Sequence, residues 1–171
     1  MSQETQAILS FLKQIGLPYE LAPLQGKTFL PGVKLVASRL VIDEEQLLYS
    51  GDILHEAGHY AVCDPHERHL LDGDIYKNGL THGRKKDRMH GEEMAAIAWS
   101  VAAIQHIGLP LEVVLHADGY RGASQSLIKA FREGGGFGYP LLNAWDMTCP
   151  EQGFPVMQRW IRELSWTAPE S

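Results

Sequence analysis

Apolar residues recur at the three- to four-residue spacing of a helix in five separate segments of this chain. Most of these segments are bounded by glycine, proline or short polar residues, which favour helix ends over helix interiors. The alanine-rich segment is the strongest of the five, because alanine has the highest helix propensity. The predicted helices cover residues 3–15, a segment that begins at Ile53 and ends before Pro65, residues 92–107, residues 124–133 and residues 155–164.

A strand pattern lies between the first two of these helices. Residues 33–42 are rich in Val, Leu and Ile with a polar pair in the middle, which predicts one strand with a bulge or a two-strand hairpin. Residues 17–32 contain prolines and glycines and are expected to be irregular, and the polar residues 64–91 are expected to form a long loop. The predicted fold class is therefore α+β: one mostly helical domain, residues 1–171, with a short β-sheet that precedes the second helix.

Composition narrows the class of protein. The 171 residues are 44% hydrophobic, which is enough to bury a core, and no run of 18 apolar residues predicts a membrane span. The first residues lack the basic and apolar parts of a signal peptide, and two cysteines imply no disulfide framework, so we expect a cytoplasmic protein. A formal net charge of −6 argues against binding to nucleic acid or to an anionic membrane.

One basic cluster, residues 84–88, departs from this acidic balance. Its sequence is Arg-Lys-Lys-Asp-Arg. A run of this kind is usually a solvated loop, and a contact with phosphate or with an acidic partner is the second interpretation.

The second predicted helix carries the residues His55-Glu56-Ala57-Gly58-His59, an H-E-x-x-H pattern. Imidazoles four residues apart lie on one helical face, one turn from each other, so both can bind a single zinc ion. Glu56 then lies beside the open coordination positions and can act as the general base on water. The pattern predicts a Zn²⁺-dependent hydrolase with Glu56 as its catalytic residue.

A catalytic zinc ion usually has a third protein ligand. The metzincin spacing is excluded, because Val62 and Pro65 stand where that class has Gly and His. Glu93 is the favoured third ligand, since it falls close to the apolar stripe of the alanine-rich helix, where an unpaired carboxylate would be costly. Other candidates remain: Glu92, Asp72, Asp74 and the histidines of the polar stretch, His66, His69, His82 and His90.

These residues resemble the small gluzincin-like metallopeptidases, and within them the bacterial ImmA/IrrE-type group. That group has a His-Glu-x-Gly-His helix and a following helix that begins Glu-Ala-Asn-x-Phe-Ala; here the second run is Glu93-Met94-Ala95-Ala96-Ile97-Ala98, with Ala95 in the place of Asn. The resemblance covers residues 50–105 at most. It implies a zincin-like fold, zinc held by His55, His59 and a downstream Glu, and Glu56 as general base.

The sequence leaves the details of catalysis open. The candidates for stabilising the oxyanion of a tetrahedral intermediate are Tyr76, His90, His116, Tyr120 and Arg121. The strand region 33–42 is the candidate for pairing with an extended peptide or protein substrate.

Three functions remain to be separated at this point. The first is a zinc-dependent peptidase or amide hydrolase. The second is a non-catalytic metal-binding or sensing protein that retains the H-E-x-x-H site, and the third is a binding module without metal. Neither the substrate nor the oligomeric state can be read from the sequence.

Overall fold

The computed structural model describes residues 1–26, 28–118 and 122–165. Within these ranges the chain forms an α+β domain of six α-helices and one three-stranded sheet. The helices are α1 Gln3–Ile15, α2 Gly51–Val62, α3 Ile75–Thr81, α4 Lys86–Ile107, α5 Ser124–Arg132 and α6 Tyr139–Ala144, and the strands are β1 Tyr19–Leu21, β2 Val33–Val36 and β3 Arg39–Ile42. None of these helices combines the length and the apolar character that crossing a membrane requires.

The first helix confirms its prediction. Ser2 caps α1 by accepting a hydrogen bond from the Thr5 backbone N–H at 3.1 Å, and Gly16 ends the helix in the left-handed conformation with φ 77°. Ile8 and Leu12 of its apolar stripe are fully buried in the core.

The segment 33–42 is a two-strand hairpin, one of the two predicted alternatives. Strands β2 and β3 pair antiparallel around Ala37 and Ser38, which turn the chain with φ values of 48° and 65°. Strand β1 pairs parallel with β3, which gives the order β1-β3-β2. The prediction that residues 17–32 are wholly irregular is therefore wrong at β1, because a three-residue strand is too short to show an alternating pattern.

The polar stretch 64–91 is not one long loop. It contains a short 3-10 helix, Arg68–Leu70, then α3 and the first turns of α4. Helix α4 begins at Lys86 and not at residue 92, as was predicted. The apolar pattern missed residues 86–91 because they are mostly polar or charged and only Met89 is a buried apolar residue there. Glu92 and Glu93 consequently lie in the second turn of the helix.

The helix predicted for Pro155–Leu164 is absent. Two residues of its expected stripe, Val156 and Leu164, are about 40% exposed, at 40% and 41%. The backbone bonds to residues outside the segment: Val156 accepts a hydrogen bond from Cys149 at 2.8 Å, and Arg162 donates one to Ala61 at 2.8 Å. These bonds replace the ones that a helix would make.

Helix α5 matches the predicted helix 124–133, but Ser124 is not its N-cap. Ser124 is the first helical residue, and its hydroxyl donates to the backbone carbonyl of His116 at 2.5 Å. Helix α6 was not predicted; it follows the glycine-rich segment 134–138.

Helices α2 and α4 form the central pair of the fold. The sheet and α1 pack against α2, while α1 and α6 pack against α4. Gly58 lies at the contact between the two helices, where an added Cβ would meet the Ala96 carbonyl oxygen at 2.9 Å and the Trp99 ring at 3.3 Å. The absence of a side chain at this position lets the two helices approach closely.

We expect Gly58→Ala to lower the melting temperature, although alanine is the better helix former by about 1 kcal/mol. The new methyl group must push apart two backbones that carry the candidate metal ligands, so zinc affinity should fall as well. Thermal unfolding by circular dichroism and a zinc titration measure the two effects, with Gln105→Ala on the exposed face of α4 as control. An increase in melting temperature for Gly58→Ala would contradict the close packing.

Candidate metal centre

His55, His59 and Glu93 come together on the facing surfaces of α2 and α4. The Nε2 atom of His59 lies 2.7 Å from Oε2 of Glu93, and Nε2 of His55 lies 3.7 Å from Oε1. One donor atom from each residue lies within 4.8 Å of the others, which makes this group a candidate metal site. The three side chains predicted as ligands are thus brought together, and their binding of a metal stays a prediction.

Local helix geometry accounts for two of the three donors. His55 and His59 are one turn apart on α2, and their ring centroids are 5.2 Å apart. Their side chains are 12% and 11% exposed, so the rings are largely shielded from bulk water. Glu93 comes from α4 and is 45% exposed, which leaves the site open on its side.

The charges of the three groups are strongly coupled. Burial, reinforced by the nearby His59, lowers the pKa of His55 to about 4. Burial also opposes a charge on His59, but the adjoining Glu93 carboxylate outweighs it and raises the pKa of His59 to about 9. Burial likewise disfavours ionised Glu93, and contact with His59 overrides it and lowers the pKa of Glu93 to about 2. A metal ion bound here must displace the proton that His59 carries beside the Glu93 carboxylate.

Glu56 lies beside this group and is only 7% exposed. Burial raises the pKa of its carboxyl group to about 7. It lines the same cleft as His55, His59 and Glu93. The structure therefore places the predicted general base at the candidate site, in an environment that holds its proton near neutral pH.

Glu92 is directed away from this cluster into a buried ion network. Its Oε1 atom accepts a hydrogen bond from Nη2 of Arg84 at 2.6 Å, and its Oε2 lies 3.6 Å from Nη1 of Arg162. Arg162 also donates to the Val62 carbonyl at the end of α2, at 3.0 Å. Buried charges require such partners, and Glu92 is thereby used for structure and not as the third donor.

The other candidate ligands are not part of the cluster. Asp72 accepts a hydrogen bond from the Ala37 backbone N–H at 3.0 Å, and Asp74 caps α3 by accepting one from Lys77 at 3.0 Å. The histidines of the polar stretch do not join the metal group within the described residues. These are His66, His69, His82 and His90.

A cleft of about 640 Å³ opens at the candidate metal group. One wall comes from the segment 28–30 and strand β2, and the other from the start of α3 and the N-terminal part of α4. This volume falls in the range of small-molecule and peptide side-chain sites, about 300–1,000 Å³.

The candidates for oxyanion stabilisation have different positions. His90 lies on the cleft wall, one turn before Glu93 on α4. His116 instead contacts Asp52, with Nε2 of the ring 2.8 Å from Oδ1 of the carboxylate, and stacks on Tyr49 with ring centroids 3.8 Å apart. Tyr120, Arg121 and the side chain of Tyr76 lie outside the described part of the structure.

Sequence reasoning missed the partners of Glu92 and the pairing of Asp52 with His116. Arg84 belongs to the basic cluster predicted to be solvated, yet its side chain is 2% exposed and held between Glu67 and Glu92. No local pattern predicts such pairs, because their members lie 8 to 70 residues apart along the chain.

Comparisons of the chain with protein-family models, with curated proteins and with solved structures gave no significant match. The resemblance to the ImmA/IrrE-type metallopeptidases consequently rests on the motif residues and stays a prediction.

Substitution of each of the two neighbouring glutamates in turn distinguishes the metal ligand from the structural residue. Glu93→Gln should lower zinc affinity by more than about 100-fold, since loss of a group that merely orients a ligand already costs about 10–100-fold. Glu92→Gln should retain zinc but lower the melting temperature, because it removes the buried carboxylate that Arg84 and Arg162 both contact. Competition with a chromophoric chelator and thermal unfolding measure the two quantities. Zinc loss in Glu92→Gln alone would reverse the assignment.

Proposed function

We propose that this chain is a zinc-dependent metallopeptidase that hydrolyses a peptide or amide bond in a peptide or protein substrate. One observation carries the proposal: His55, His59 and Glu93 converge beside the buried carboxyl group of Glu56, at the wall of an open cleft. Three donors, a base and a substrate-sized space are the parts that metal-assisted hydrolysis requires.

The donor set fits zinc. Two imidazole nitrogens and one carboxylate oxygen form one of the ligand combinations of catalytic zinc. One donor atom from each of the three residues lies within 4.8 Å of the others, which is close enough for all three to share one ion. No fourth His, Cys, Asp or Glu of the described residues joins the group, and an incomplete protein shell is typical of catalytic and not of structural zinc.

Zinc held by His55, His59 and Glu93 would lower the pKa of water to about 7 and would polarise a carbonyl oxygen. The chain itself supplies the proton transfers. The Glu56 carboxylate is the group that takes a proton from the attacking water and returns it to the leaving nitrogen. Its burial raises the pKa of the carboxyl group above its usual value, which favours the holding of a proton between the two steps.

Strand β2 supports a peptide as the substrate. It is an edge strand, paired with β3 on one side, and Val33 and Lys34 line the cleft. The backbone N–H of Gly73 donates to the Leu35 carbonyl at 2.7 Å and closes part of the other side. No described strand pairs with the rest of this edge, but the Val33 backbone N–H donates to the Leu30 carbonyl at 3.3 Å. An extended peptide that adds at the Val33 end would therefore replace this single bridge.

The decisive variant is Glu56→Gln, which removes the base and retains all three donors. We expect it to bind zinc as the unaltered protein does and to lose hydrolysis by about 10²–10⁴-fold. Elemental analysis gives the zinc content, and mass spectrometry of a digested peptide library gives the hydrolysis rate. Glu44→Gln, an exposed change of the same kind, is the control and should retain both properties.

Two outcomes would overturn the proposal. A zinc-loaded protein that hydrolyses nothing in the library, in either form, would favour the non-catalytic metal-binding or sensing function. A Glu56→Gln variant as active as the unaltered protein would show that another group is the base.

A further inference from the structure

Phe29 is the most exposed large apolar side chain of the described residues, at 93%. It lies in the short segment before β2 and lines the cleft at the candidate metal centre. An isolated exposed apolar residue needs no explanation on an ordinary surface, but one at the mouth of a ligand cleft marks a contact site.

The segment that carries Phe29 is fixed to the rest of the fold. The Thr28 hydroxyl donates to the Leu30 carbonyl, and the Asp43 backbone N–H donates to the Gly32 carbonyl at 2.8 Å. At Gly32 the chain passes so close to Leu47 that an added Cβ would meet its backbone nitrogen at 2.3 Å. Phe29 is therefore presented from an anchored turn at the side of the cleft.

Further apolar side chains line the cleft with Phe29. Leu30 and Val33 are on the same wall, while Ile75 and Met89 come from the starts of α3 and α4 on the other. A large apolar side chain of a bound peptide would contact both walls and remove Phe29 from water.

The segment from α3 to the start of α4, which contributes Arg84 to the cleft lining, is strongly basic. Residues 77–88 have five basic side chains and one acidic one, a net charge of +4, so the rest of the chain has −10. Arg84 is paired with Glu67 and Glu92, whereas Lys85 and Lys86 are exposed and form no ion pair with the described residues. On the opposite wall, Lys34 also lines the cleft.

Four acidic side chains also line the cleft. Glu56 and Glu93 lie at the candidate metal centre, Glu92 is paired with Arg84, and Asp74 accepts a hydrogen bond from the first turn of α3. The exposed Lys85 and Lys86, which follow the cleft-lining residue Arg84 in the chain, offer charges that complement an acidic ligand extending from the cleft.

We propose that the cleft selects an extended peptide in which a large apolar side chain contacts Phe29 and a neighbouring acidic residue contacts Lys85 and Lys86. That the bound peptide is then cleaved rests on the proposed function, but the preference for these two side chains is a property of binding. It can therefore be measured without hydrolysis.

Four fluorescein-labelled peptides of equal length test the selection on zinc-loaded Glu56→Gln protein. They carry Leu or Ala at a central position, and Glu or Gln at the flanking positions. We expect the Leu–Glu peptide to bind about tenfold more tightly than the peptide with either feature removed. The advantage from Glu should decrease between about 0.05 and 0.5 M salt, and the advantage from Leu should persist.

Matched variants assign the selection to the named residues. Phe29→Ala should abolish the preference for Leu, and Phe29→Leu should restore most of it; Leu48→Ala, a change at an exposed residue outside the cleft lining, is the control. Lys85→Gln with Lys86→Gln should abolish the preference for Glu. Lys13→Gln with Lys129→Gln changes the net charge equally at exposed residues of α1 and α5 and should leave that preference intact.

The outcomes separate this inference from the proposed function. Equal binding of all four peptides, or tighter binding of a single-stranded DNA of the same length, would overturn the inference even if the protein is a peptidase. Loss of either preference in its control variants would likewise overturn it. If the preferences hold and no peptide is hydrolysed by the unaltered protein, the inference stands and the hydrolytic function fails.

Discussion

The close packing of α2 against α4 is the constraint on which the rest of the site depends. Gly58 lets the backbones of the two helices meet, with the Ala96 carbonyl oxygen 2.9 Å from where a Cβ would be. Because His55 and His59 flank Gly58 on one helix and Glu93 lies one turn before Ala96 on the other, this contact sets the distance between the donors. A larger residue at the contact would separate the imidazoles from the carboxylate.

A buried ion network holds the same two helices together from another side. Glu92 on α4 pairs with Arg84 and Arg162, and Arg162 reaches the carbonyl of Val62 at the end of α2. Arg162 also lies over the Trp145 ring, with its guanidinium carbon 3.8 Å from the ring centroid. Such a network contributes geometry more than stability, since the desolvation of its charges offsets most of their attraction.

Two adjacent carboxylates therefore have different environments and different uses. Successive residues of a helix point about 100° apart, so Glu92 enters the ion network while Glu93 faces the imidazoles and the cleft. Glu93 is partly exposed and Glu92 almost wholly buried. The combination places an accessible carboxylate beside a rigid support, which suits the proposed metal site.

The sequence by itself determined what depends on neighbours along the chain. The four-residue spacing of His55 and His59 puts both imidazoles on one helical face, and the capping residues and apolar stripe of residues 3–15 define α1. Only the tertiary structure decided the use of Glu92 as opposed to Glu93, because that choice depends on Arg162, a residue 70 positions away. It also decided the conformation of residues 155–164. Their apolar spacing suits a helix, but their backbone forms hydrogen bonds with Cys149 and Ala61. The spacing of apolar residues indicates which side chains share a helical face. It does not indicate which charged or backbone groups elsewhere in the chain will contact that face.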